Sequence, residues 1–406
     1  MLTRKKISKK KVIEKAKVCL VFFSSNFNGL SGGGGAERRF FRVFEEYQKQ
    51  ENGSIDLALV TDRSSYVYFK ELGIITSSRK VYLAKIFNHK SSLFKLIRYF
   101  SITIALIRYV IIEKPSLMHF FLPSAQYLPF LLFLRIFRIK SPKIAISIVD
   151  CSFVNSYLSQ SRGMGINIYQ YYLEHLQIDG VFTYYQNVSE LIPKMCKKNC
   201  EPFVFSTRHG FTDINKFIPS KEKEDLIVYA ARLDEQKDPF FFLEALKILF
   251  EKDSLLYDKW QFKIFGKGPL ENKIISYLRE NNLEAVQLTY NKDLSEVFSK
   301  SKIFISTQKF ENFPSMSMIE AMASGNAILA KDVGQTELFV HDNKNGFIVN
   351  PDVPSDLSEK LSFLLHHSEK LQEMGRESRR IVLDNHTVGE FLYDLNFFWD
   401  KTLAIN

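Results

Sequence analysis

Residues 303–349 constrain the fold more tightly than any other stretch of the chain. Ile303–Ser306 is a short apolar run of the length expected for a buried strand. A loop follows, carrying Glu311, Asn312 and Phe313. Pro314 and Ser315 suit the first turn of a helix, where proline's fixed φ and missing N–H cost nothing. That helix carries Glu320 and stops near Gly325, and a second apolar run, Ala327–Ala330, comes next. Strand, loop, helix and strand in this order make a parallel crossover unit. Two carboxylates then stand around the carboxyl ends of its strands, where ligands of open α/β sheets bind.

A chain of 406 residues exceeds what one core normally serves, so two domains are expected. Apolar residues at 46% and charged residues at 25% give a globular composition and exclude a disordered chain. The net charge of +10 has two readings, a solvated basic surface or an anionic partner such as a membrane surface or a phosphorylated substrate. Nucleic acid is not expected, because no recognition motif accompanies the charge. Of the four cysteines, Cys196 and Cys200 are spaced like half a zinc site, but no second ligand pair stands near them. Reduced thiols, Cys19 and Cys151 included, are the expectation.

Residues 1–17 hold eight Lys and Arg against one acidic residue, Glu14. The apolar run Val18–Phe23 is too short for a signal-peptide core and reads as a first strand. The basic tail is either disordered or in contact with anionic lipid. Four glycines, 32–35, then separate the strand from a helical stretch, Ala36–Gln50. At Gly34 and Gly35 backbone N–H groups can approach an anion beside a helix N-terminus; a surface loop has the same composition. Ile55–Thr61 and Leu117–Phe121 read as strands. His119 in the latter reads by itself as a core or strand-end histidine. Residues 91–112 are interrupted by Arg98 and Arg108 and cannot span a bilayer. Tyr127–Ile139 is either a buried helix or a face in the membrane interface, with Arg135, Arg138 and Lys140 at headgroup level. Strands are expected at Lys143–Val149, with Asp150 just past it, at Ile178–Thr183 and at Phe203–Ser206, a helix at Gln170–Gln177, and a turn-rich connection over 194–202.

The second half opens on a strand, Leu226–Ala230, followed by Arg232, Lys237 and a helix through Phe250. Two cations five positions apart after a strand can clamp a diphosphate; they are also commonplace surface charge. Gln261–Phe265 ends in Gly266-Lys-Gly268-Pro269, which lacks the third glycine of a dinucleotide fingerprint. Val388–Leu403 reads as an aromatic C-terminal helix, and no Asp-x-Asp triplet occurs anywhere in the chain.

The run from Glu311 through Glu320, with Gly334-Gln-Thr-Glu337 and Asn345-Gly-Phe-Ile-Val349, resembles the donor-site motif of glycosyltransferase family 4. The two carboxylates stand nine positions apart, one more than is usual there. His209-Gly-Phe-Thr-Asp213 resembles the segment opening that family's second domain, with His209 where an Asn is usual. The resemblance implies an α/β chain of GT-B type: two Rossmann-like domains facing a cleft, the C-terminal helix crossing back to the first. Its boundaries would be 1–17 basic tail, 18–206 acceptor domain, 207–385 donor domain and 386–406 C-terminal helix. It also implies roles. Arg232 and Lys237 hold the leaving diphosphate without a metal, and Glu311 contacts the sugar. Glu320 accepts from the ribose hydroxyls. Gly34, Gly35, Gly266, Gly268, Pro269, Asn312, Phe313, Pro314 and Ser315 line the donor, and His119 and His209 contact sugar or acceptor. No cofactor or metal is implied.

The implied activity is retaining transfer from a UDP- or GDP-sugar to a saccharide or lipid-linked acceptor, in surface polysaccharide or glycolipid synthesis. The setting would be cytoplasmic, at the inner face of the membrane. Two alternatives stand beside it: a soluble sugar-metabolism synthase, and an inactive nucleotide-sugar sensor or scaffold. Donor sugar, base, acceptor, linkage and oligomeric state are not legible.

Overall fold

The computed structural model describes residues 15–24, 35–50, 55–76, 78–86, 92–121, 124–139, 141–149, 164–196, 201–311 and 315–405. Gly34, Asn312, Phe313, Pro314, Lys140, Asp150, Cys151, Cys200 and the basic stretch up to residue 14 lie outside them. The chain divides into two compact units. The first takes the chain up to Phe182, Ser189–Phe205 and the chain from Asn396; the second takes Thr183–Val188 and Ser206–Leu395.

The first unit is built on a seven-stranded sheet of order β3-β2-β1-β4-β5-β6-β7. Its strands are β1 Ala16–Phe22, β2 Ile55–Asp62, β3 Val81–Ala84, β4 Leu117–Phe121, β5 Lys143–Ile148, β6 Gly180–Thr183 and β7 Phe203–Ser206. The pairings among β1 to β5 are parallel. Their apolar runs are covered on both faces, as parallel strands require. Helix Gly35–Gln48 buries Phe40, Phe41 and Phe44, and Phe41 stacks on Phe69 at 4.0 Å between ring centres. The end of helix Val388–Leu403 fills the same unit. Phe398 and Trp399 are fully buried, and a Cβ on Gly180 would lie 2.5 Å from Thr402 Oγ1.

Helix Leu128–Ile136 buries Phe130, Leu131 and Leu134, so of the two readings of Tyr127–Ile139 the buried helix describes its body. Only its end, Ile136 and Phe137, is exposed. The exposed apolar surface lies instead on helix Ser92–Glu113, at Leu96, Phe100, Ile104, Ile111 and Ile112. Helix Gln186–Met195, with Pro193 inside it, occupies the start of the stretch expected to be turn-rich.

The second unit carries a six-stranded sheet, β10-β9-β8-β11-β12-β13, parallel throughout. Its strands are β8 Leu226–Ala230, β9 Gln261–Phe265, β10 Val286–Thr289, β11 Ile303–Ser306, β12 Ala327–Lys331 and β13 Gly346–Val349. Every residue of β8, β11 and β12 is buried. Helix Met316–Ala323 starts one residue later than expected, with Ser315 as its cap position. It stops at Gly325, whose φ of +72° is open to glycine without a Cβ penalty. In each sheet the strand order reverses beside the first strand of the unit, between β1 and β4 and between β8 and β11. Such reversals open a crevice at the carboxyl ends of the strands.

Candidate active site

The loops at the β8/β11 reversal hold most of the described candidate residues, and backbone bonds tie them together. The turn after β9 lies directly on the loop after β8. Leu233 N–H donates to Lys267 O at 3.0 Å and Leu270 N–H to Leu233 O at 3.1 Å. A Cβ would come within 2.0 Å of Ala231 O at Gly266 and 2.2 Å of Leu233 O at Gly268. Both glycines are therefore demanded by close approach of the chain carrying Arg232, a cause the sequence alone did not reveal.

Arg232 projects from that loop, its side chain 73% exposed, with Nε 3.4 Å from Asp234 Oδ2. Asp234 Oδ1 accepts the N–H of Lys237 at 3.1 Å, so one carboxylate braces both cationic residues. The Lys237 ammonium bonds Gln308 Oε1 on the loop after β11. That loop is joined to the first again by Lys309 N–H to Gln236 O, 2.9 Å. Lys267 lies over the Tyr290 ring at 4.5 Å.

Glu311 is buried and turned onto the loop after β12. Its Oε1 accepts the Gln335 N–H at 2.8 Å. Gly334, at φ +55°, passes so close that a Cβ there would meet Glu311 Oε2 at 2.1 Å. Two separate sequence landmarks thus meet in space. Glu320 is half-buried in the second turn of helix Met316–Ala323. That position lies past the first turn, where the helix dipole no longer favours a carboxylate.

Two expected contacts have other surroundings. His119 lies in the interior of the first unit. The Trp399 indole N–H donates to its Nδ1 at 3.0 Å, so Nε2 carries the proton that faces Ser147 Oγ at 2.8 Å. Burial pulls its pKa down to about 3. His209 belongs to a hub in the second unit: its Nδ1 donates to Asn385 O at 2.5 Å, and Nε2 lies 4.0 Å from Asp394 Oδ2. Thr207 Oγ1 donates to that same carboxylate at 2.6 Å, and burial raises the Asp394 pKa. Neither arrangement has a local signal in the chain, because the partners lie far along it.

At the β1/β4 reversal the exit of β1 is gripped from several sides. Ser24 N–H donates to Asp62 at 3.1 Å, Phe23 N–H to Tyr127 OH at 3.0 Å and Gln126 to Phe23 O at 2.9 Å; buried Arg98 donates to Ser24 O. Gly35 is the first residue of helix Gly35–Gln48. Among the described residues no group of His, Cys, Asp and Glu could hold a metal ion, and no helix is long and apolar enough to cross a membrane.

The chain resembles the poly(ribitol-phosphate) alpha-N-acetylglucosaminyltransferase of Staphylococcus aureus at 25% identity over 197 residues, 47% of this chain and 39% of the relative. It is 24% identical over 174 residues to a Campylobacter jejuni alpha-1,4-N-acetyl-D-galactosaminyltransferase named for an undecaprenol-diphosphate-linked GalNAc substrate, 43% of this chain and 48% of the relative. The chain thus spans less than half the length of these curated relatives. The crystal structure of Anabaena HepE in complex with UDP and glucose superposes at a TM-score of 0.70 and 12% identity, covering 96% of this chain and all of that one. That likeness is one of fold: two Rossmann-like sheets, the GT-B fold. Residues 211–381 match the family model of glycosyl transferases group 1. Those residues span the β8/β11 reversal, and through them this part of the chain is similar to the glycosyl transferases group 1 family.

Proposed function

We propose that this chain is a retaining glycosyltransferase that uses a nucleotide-diphosphate sugar. The observation that carries the reading is the convergence of Arg232, Lys237, the Gly266–Pro269 turn and Glu311 on the carboxyl ends of β8, β9 and β11. Sugar transfer breaks the bond from the anomeric carbon to the diphosphate oxygen and forms one to the acceptor oxygen. Negative charge builds on the departing diphosphate, and preorganised cations stabilise that charge more than they stabilise the ground state. Arg232 and Lys237 supply them, and each charge-assisted bond to phosphate contributes about 1.5–3 kcal/mol. We assign the ribose hydroxyls to Glu320 and the sugar hydroxyls to Glu311, whose carboxylate is oriented by Gln335 N–H. The departing phosphate oxygen takes the acceptor proton on the same face, so no enzymatic nucleophile or metal is required.

The named relatives support a surface-polymer or lipid-linked saccharide as acceptor, and the HepE complex supports UDP as the nucleotide. The outward face of helix Ser92–Glu113 supports an anionic membrane as the working surface. Phe100, Ile104, Ile111 and Ile112 are exposed along it, and the exposed cations Arg108, Lys114, Arg135 and Arg138 lie on it and at the neighbouring helix end.

The direct test incubates the protein with UDP-glucose, UDP-N-acetylglucosamine and GDP-mannose, with and without undecaprenol-linked saccharide, and follows nucleotide release and the product's anomeric configuration. Release from one donor, with retained configuration in the product, is expected. Tight nucleotide-sugar binding without release favours the sensor or scaffold.

A further inference from the structure

The chain enters helix Pro239–Lys252 through Asp238, which stands in the left-handed region at φ +51° and ψ +56°. A side chain is unfavourable there, and glycine is the residue that adopts it freely. Asp238 directly follows Lys237, so the turn decides where the Lys237 ammonium points. The turn's backbone is held from inside the unit. Tyr229 OH donates to Lys237 O at 2.7 Å, and Thr307 Oγ1 lies within donating distance of Lys237 O, 3.1 Å, and Asp238 O, 2.8 Å.

The Asp238 carboxylate has two cations beside it: the half-exposed Lys309, 4.0 Å from Oδ1, and a buried lysine that bonds it directly. Lys331, the last residue of β12, reaches Asp238 Oδ2 at 2.7 Å. Its side chain is only 4% exposed, and its ammonium lies 3.7 Å above the Phe241 ring, in the first turn of the helix that Asp238 introduces. A lysine is kept in such an interior only when its charge is paired, and removing one member of a buried pair strands the other. This pair joins the end of β12, the left-handed turn and the helix start.

We propose that Lys331 is a positioning residue for the donor site: its pairing with Asp238 holds a left-handed turn in a non-glycine residue and so aims Lys237 at the leaving diphosphate. The inference rests on the reading of Lys237 as a diphosphate ligand.

The test is calorimetric titration of UDP and GDP into the full chain. Wild type is compared with Lys331→Met, the double variants Lys331→Met/Asp238→Gly and Lys331→Met/Asp238→Ala, and Lys237→Ala as the reference for loss. Methionine keeps the stem over Phe241. Glycine accepts the turn without an ion pair, and alanine does not. Lys331→Met and the alanine double should each weaken nucleotide binding about tenfold, while the glycine double returns to within about threefold of wild type. Should Lys331→Met alone fail to fold, the two doubles still decide. Equal affinity in the glycine and alanine doubles, or wild-type affinity in Lys331→Met, overturns the proposal and leaves the donor-site reading standing. Absence of UDP and GDP binding to wild type overturns both.

Discussion

At the carboxyl end of β8 the chain turns a charged side chain outward; at the carboxyl end of β1 it draws polar groups inward. Arg232 is largely in solvent, braced by one carboxylate. Arg98, Asp62, Tyr127 and Gln126, by contrast, are buried, and each hydrogen-bonds the backbone of Phe23 or Ser24. His119, next door on β4, gives both ring nitrogens to Trp399 and Ser147. The two reversals of strand order therefore differ in what their polar residues can do. The second turns a cation, Arg232, into solvent. The described part of the first uses its polar residues to fix the strand exit. Under the proposed function, the reaction chemistry falls to the second unit and acceptor choice to loop shape in the first.

That contrast can be broken most sharply by removing charge. Arg232→Ala and Lys237→Ala should each lower kcat for donor turnover by on the order of 10²–10³, and the exposed Arg232 should leave Tm nearly unchanged. Equal losses of Tm and kcat in Arg232→Ala would assign it to structure. A second comparison uses glycines. Gly268→Ala would press a Cβ into Leu233 O at 2.2 Å, whereas Gly73→Ala, at φ +67°, meets nothing within 4 Å. The first should cost about 1–3 kcal/mol and weaken nucleotide binding, and the second about 1 kcal/mol of strain with binding intact. Thermal melts with and without UDP separate them.

Charging the outward face of helix Ser92–Glu113 by Phe100→Asp with Ile111→Asp should abolish sedimentation with anionic vesicles and leave soluble donor turnover unchanged. Sedimentation that persists would remove that face from the account. The effect expected at His119 is read only in acid. Its folded pKa lies near 3, below the unfolded value of about 6.5. The neutral ring's contribution is fully present above pH 6.5 and is lost as pH falls toward 3, by at most about 1.4 kcal/mol per unit. His119→Gln should flatten that acid limb of the stability curve, which chemical denaturation across pH measures.

Much of the architecture was legible because parallel strands covered on both faces appear as unbroken apolar runs. Leu226–Ala230 and Ile303–Ser306 coincide with β8 and β11, and the mostly apolar Leu117–Phe121 and Gln261–Phe265 with β4 and β9. Helix Gln186–Met195 was not, since Pro193 reads as a breaker there. The short strand β3 has exposed Tyr82 and Leu83 and gives no buried pattern. Within the site, Arg232, Lys237, Gly266, Gly268, Glu311 and Glu320 could be named through the family resemblance of the motifs that carry them. Their supports could not. Glu311 meets Gln335 and Asp238 meets Lys331 across long chain separations, and nothing in local pattern records such pairs.

The most direct measurement is a thermal-shift panel with UDP, GDP, ADP and CMP on the wild type, Arg232→Ala and Glu320→Ala. A nucleotide at about 100 times its Kd stabilises the folded state by about 2.7 kcal/mol. The account predicts that UDP or GDP raises the wild-type Tm and that both variants lose the shift. No shift with any nucleotide, or a shift that survives in both variants, would contradict a donor site built on the β8/β11 reversal.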